Sequence, residues 1–106
     1  MSWWITYKTD KQLEEPHYEG GSYALNGTYD CSLNVTWNYN NFFDFSSLHG
    51  KKGKEVLPEL KAFSEKYKDC KPSSNYWDST PGNAKVAIDR LISFVELDLD
   101  AEFYVD

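Results

Sequence analysis

No apolar run in this chain approaches the roughly eighteen residues that a membrane-spanning helix needs, and no charged-then-apolar leader precedes the first motif. Neither a transmembrane helix nor a signal peptide is therefore expected, and the default location is the cytosol. Cysteine is scarce as well, with only Cys31 and Cys70. The two could pair, but a reducing cytosol favours two free thiols, and Cys31 falls where a thiol acts as a small hydrophobe. The only histidines, His17 and His49, stand at spacings from the cysteines unlike those of a zinc site. No repeat and no low-complexity segment is present. Asn26-Gly27-Thr28 and Asn34-Val35-Thr36 match the glycosylation pattern, which carries no meaning without a secretory route.

What is present is aromatic and acidic. Eight Tyr, six Phe and four Trp in 106 residues, with 41% hydrophobic residues, are enough for one core without disulfide staples. A single domain spanning 1–106 is expected. The net charge is −6, and it is unevenly placed. Residues 1–85 carry eleven acids and ten bases, whereas residues 86–106 carry Asp89, Glu96, Asp98, Asp100, Glu102 and Asp106 against Arg90 alone. Such a C-terminal patch repels nucleic-acid and membrane phosphates and favours basic partners, so direct nucleic-acid binding and membrane binding are not expected.

The strongest structural signal is Cys31 to Asn40. Cys31, Leu33, Val35, Trp37 and Tyr39 alternate with Ser32, Asn34, Thr36, Asn38 and Asn40, which predicts a long strand with one face in a core and one face wet. On that reading Trp37 is the costliest residue to lose, about 3–5 kcal/mol if buried. Ser2 to Lys8 alternates too, setting Trp3, Ile5 and Tyr7 against Trp4, Thr6 and Lys8. Asp10 to Gly21 has no period and reads as a connector, while Ser22 to Leu25, closed by Asn26-Gly27, reads as a short strand entering a tight turn. The segment F-F-D-F-S-S-L suggests a helical turn over the core edge.

Val56, Leu60, Phe63 and Tyr67, with Leu57 alongside, have helical spacing and predict an amphipathic helix of about fifteen residues that starts within a turn of Gly53 to Glu55, because Pro58 is tolerated only near the start. Thr80-Pro81 is a cap followed by a first-turn proline, and Ala84, Ile88, Leu91 and Val95, widened by Ala87 and Ile92, carry that second helix to about Leu97. Ala101 to Val105 alternates again. The fold class expected is α+β: two layers, with a mainly antiparallel sheet of three to four strands and two helices packed on one face.

Motifs for chemistry are thin. His49, Ser46, Ser47 and Asp44 could be drawn as a hydrolytic set, but residues so close in sequence seldom build a triad and no nucleophile-elbow glycines flank either serine. Gly50-Lys51-Lys52-Gly53-Lys54 lacks both the spacing and the following Ser or Thr of a nucleotide loop, although lysines at a helix N-terminus could hold a small anion; a solvated basic turn is the simpler reading. Glu96-Leu97-Asp98-Leu99-Asp100 invites a calcium reading but has Ala101 where the loop glycine belongs. No catalytic residue, metal or cofactor is expected. The candidate partner-binding residues are instead two sets. One is the acidic end, Glu96, Asp98, Asp100, Glu102 and Asp106; the other is the polar strand face, Asn34, Thr36 and Asn38, joined by Tyr104 because an aromatic on the wet side of a strand marks contact surfaces.

Four segments carry a resemblance: Gly21 to Thr28, Leu33 to Tyr39, Leu48 to Gly53 with Leu57-Pro58, and Tyr76-Trp77-Asp78-Ser79-Thr80-Pro81-Gly82-Asn83-Ala84. Together they resemble a family of small phage and prophage proteins that combines an N-x-T-x-N-Y strand, a glycine-lysine turn, an I-P or L-P helix start and a Y-W-x-x-T-x-G-N-A start of a second helix. The resemblance covers most of Gly21 to about Val95 and implies a phage or mobile-element origin, hence the cytoplasm of a bacterial host. It brings no catalytic residues. The resemblance says little about mechanism; a phage origin taken together with the acidic C-terminal patch leads to the expectation of a non-enzymatic protein that binds and blocks a host protein, such as an anti-CRISPR inhibitor of a nucleic-acid-binding defence nuclease, through its acidic surface. The alternative is an accessory or structural phage protein whose acidity only solubilises it.

Overall fold

A computed structural model describes residues 1–8, 17–19, 23–25, 30–75 and 77–106, with the backbone alone at 17–19, 23–25 and 30. The Asn26-Gly27 turn and Tyr76 lie outside the described residues. The architecture is the expected α+β pair of layers. Strands β1 (Ser2–Lys8), β2 (His17–Glu19), β3 (Tyr23–Leu25), β4 (Asp30–Thr36) and β5 (Glu102–Val105) form one antiparallel sheet in the order β2-β3-β4-β1-β5. Helices α1 (Gly53–Lys66) and α2 (Pro81–Leu97) make the second layer. β1 and β4 pair along their whole lengths, from Ser2 opposite Thr36 to Lys8 opposite Asp30. The three-residue β2 falls inside the stretch read as connector, too short for any period to register.

Period-two alternation fills the core from the sheet side with Ile5, Tyr7, Cys31, Leu33, Val35 and Phe103, all fully buried. The helices answer with Val56, Leu60 and Phe63 from α1 and Ala84, Ala87, Ile88, Leu91, Phe94 and Val95 from α2. α2 begins where the sequence placed it, with the Thr80 side chain accepting from the Asn83 amide and Pro81 in the first turn. Cys31 and Cys70 are not joined in a disulfide.

The long strand is shorter than its alternation predicts. After Thr36 the chain turns into a 3-10 helix, Trp37–Tyr39, because the Thr36 hydroxyl accepts from the Asn38 amide at 3.2 Å and caps that turn. Turning the backbone moves Trp37 outward, to 39% exposed, and leaves Tyr39 buried at 1%. Trp37 is thus not the keystone of the core. It stacks at a tilt on Trp3, with ring centroids 5.2 Å apart.

One sheet edge is closed by the glycine-lysine turn. Gly50 N donates to Phe103 O at 2.8 Å, Phe103 N to Lys51 O at 2.9 Å and Gly53 N to Ala101 O at 2.9 Å, so residues 50–53 run along the outer side of β5 and pair both backbone groups of Phe103. Gly50 supplies the positive φ, 78°, that the turn requires. Gly53 is needed for a different reason: a Cβ there would collide with the Tyr7 hydroxyl and with Val95.

Candidate functional site

Alternation that buries Ile5 and Tyr7 turns Trp4, Thr6 and Lys8 to the sheet face away from the helices. The register then sets their neighbours. Trp4 exchanges two backbone hydrogen bonds with Asp106, at 3.0 and 2.9 Å, and pairs with Asn34 on its other side. Thr6 lies between Ser32 and Tyr104, and Lys8 lies opposite Glu102. His49, arriving from the edge segment, completes a shallow depression of about 450 Å³ lined by Trp4, Thr6, Lys8, Ser32, His49, Tyr104 and Asp106. Its two aromatic plates are open to solvent, Trp4 at 46% and Tyr104 at 40% exposed.

The polar groups here are held in place. Tyr104 donates its hydroxyl to Glu102 Oε2 at 3.1 Å, and that bond, together with the charge of Glu102, raises the phenol above its usual pKa. The Lys8 ammonium sits 5.3 Å from the centre of the Tyr104 ring. His49 meets the same ring edge-on at 5.9 Å, while its Nδ1 accepts the Val105 amide at 3.0 Å. With the Nδ1 lone pair occupied, the proton of the neutral ring lies on Nε2.

The acidic C-terminus is less uniform than its sequence. Glu96 and Asp106 are exposed, and Asp100 is exposed but paired with Lys54 at 3.0 Å. Glu102 is half-buried beneath the Tyr104 hydroxyl. Asp98 is a correction: only 6% exposed, it accepts the Asp100 amide at 3.1 Å and gives its own carbonyl to the buried Tyr7 hydroxyl, so it cannot meet a partner. Between these acids it is Leu97 and Leu99 that reach solvent, at 43% and 48% exposed.

The polar strand face is corrected in the same way. Thr36 is 2% exposed, being used as a cap, and Ser32 is 6% exposed. Asn34 is half-buried and donates to the Ser2 hydroxyl at 3.1 Å. Asn38 has left the sheet and instead donates to Trp77 O at 2.8 Å, while Ser79 Oγ donates to Asn38 O at 2.6 Å. These bonds dock the loop before α2 against the 3-10 helix. The loop itself is organised by Asn83, 4% exposed, whose side-chain amide donates to Asn75 O at 3.0 Å and Asp78 O at 2.9 Å while its oxygen accepts the Ser73 amide at 2.9 Å. The Thr-Pro-Gly-Asn signature is therefore structural. It holds up Trp77, 57% exposed, whose place at the surface no periodicity in the loop foretells.

Asp44, Ser46 and Ser47 form a local cap, with Asp44 Oδ1 accepting the Ser46 amide at 3.1 Å, and the His49 ring is committed to Val105 instead. At the start of α1 the Gly53, Lys54 and Glu55 amides already donate to Ala101, Leu99 and Lys52 carbonyls, which removes the donors an anion would need. Among the described residues no three His, Cys, Asp or Glu side chains converge as metal ligands, and no helix is long and apolar enough to cross a membrane. Compared with known proteins, the chain matches no protein-family model, no curated protein and no solved structure.

Proposed function

We propose that this is a non-enzymatic binding protein that acts on a basic host protein, and that the phage-family resemblance makes a nucleic-acid-handling defence nuclease the specific target. The observation that carries the reading is the outer face of the sheet: Trp4 and Tyr104 stand exposed on rigid strands, beside Asp106 and Glu102. Exposed aromatics on fixed backbone bind at small entropic cost, and surrounding carboxylates steer a basic partner toward them. A protein of net charge −6 gains from both effects against a groove built for nucleic acid. The test is affinity capture from bacterial host lysate, using the wild-type chain and a variant carrying Asp100→Asn, Glu102→Gln and Asp106→Asn. Capture of a nucleic-acid-binding protein, weakened by salt and by the triple variant, is the expected result. Capture indifferent to both would remove the acidic surface from the account.

A further inference from the structure

We infer that the Trp4–Asp106 end of the sheet-face depression is a seat for an arginine side chain of the partner, a guanidinium stacked on the indole and paired with the carboxylate. The inference deepens the binding-protein reading and rests on it for the partner's basic character. Trp4 and Asp106 are direct cross-strand neighbours fixed by two backbone hydrogen bonds, so an aromatic plate and a carboxylate stand side by side on one face. Planar guanidinium is the group that can stack on the first and bridge both oxygens of the second, whereas an ammonium offers only a point charge.

The Asp106 carboxylate has no hydrogen-bond or ion-pair partner among the described residues, in contrast to Asp100 and Glu102. The cations that line the depression do not oppose the seat. Lys8 is four residues along β1 from Trp4, roughly 13 Å at strand spacing, with Glu102 directly opposite it. His49 is held by the Val105 amide at its Nδ1 and lies edge-on to the Tyr104 ring. Lys8 over Tyr104 also shows that an aromatic on this face already takes a cation from within the chain.

The probe is a fluorescein-labelled hexa-arginine peptide, followed by anisotropy at low salt, with a hexa-citrulline peptide to remove the charge and a hexa-lysine peptide to remove the planar fork. Trp4→Ala and Asp106→Asn are each expected to weaken hexa-arginine binding about two- to fivefold. Glu59→Gln makes the same charge change as Asp106→Asn on the exposed side of α1 and is expected to leave binding unchanged, and hexa-citrulline is expected not to bind. Equal weakening by Glu59→Gln and Asp106→Asn would reduce the effect to net charge and overturn the seat. So would hexa-lysine binding as tightly as hexa-arginine. If the seat fails while capture still returns a basic host protein, the binding reading survives without it. Specific hexa-arginine binding with no host protein captured would keep the seat and remove the nuclease target.

Discussion

The two faces of β1 are made by the same seven residues and obey opposite demands. Inward, Ile5 and Tyr7 are fully buried among Leu33, Phe103 and the helices, and every polar atom has a partner: the Tyr7 hydroxyl donates to the Asp98 carbonyl. Outward, Trp4 leaves 46% of its surface in water. The inner face is accounted for by folding. The outer face is accounted for less completely, and the binding role proposed for it rests on that difference.

The comparison breaks first, and hardest, on the inner side. Phe103→Ala and Tyr39→Ala should each cost about 3–5 kcal/mol by urea denaturation, since both rings are buried in the core. Asn83→Ala should cost about 1–3 kcal/mol, because the Ser73 amide loses its acceptor and the Asn75 and Asp78 carbonyls each lose one of their donors. Trp37→Ala should fall below about 2 kcal/mol, given its exposure at the rim of the core, and a loss matching Tyr39→Ala would restore Trp37 to the core. Trp4→Ala, on the outer face, should change stability by no more than about 1 kcal/mol.

Alkaline titration sharpens the same contrast. Burial raises the Tyr7 phenol well above its ordinary pKa, and the charges of Asp98 and Asp100 raise it further. A raised folded-state pKa means that the native protein holds a proton the unfolded chain releases. The resulting stability is complete below about pH 10, the unfolded value, and falls as the pH climbs above it. Urea midpoints measured from pH 8 to pH 11 should drop at the alkaline end for the wild type. In Tyr7→Phe that part of the slope should disappear.

Much of this fold can be read from spacing, because spacing reports burial. The α2 stripe of Ala84, Ile88, Leu91 and Val95 is buried throughout, and Thr80-Pro81 starts the helix. Spacing fails where a local hydrogen bond outweighs it. Thr36 continues a perfect alternation, yet its hydroxyl caps a turn and ends the strand, which carries Trp37 out and Tyr39 in. Asp98 fails for a related reason: a carboxylate in an acidic run reads as surface, but a backbone amide and a helix-to-strand corner hold it inside. The pairing of residues 50–53 with β5 is a contact across some fifty positions of sequence, beyond any local pattern. As for the site, Trp4 and Tyr104 were visible as aromatics on the wet side of their strands. Their union with Asp106 and His49 depends on register, which alternation alone does not set.

The role proposed for the outer face is binding and not folding. The direct measurement is the amount of host protein captured from lysate by the Trp4→Ala/Tyr104→Ala double variant, relative to wild type at matched stability. The folded variant should lose most of its capture. A folded variant that captures as much as wild type would contradict it.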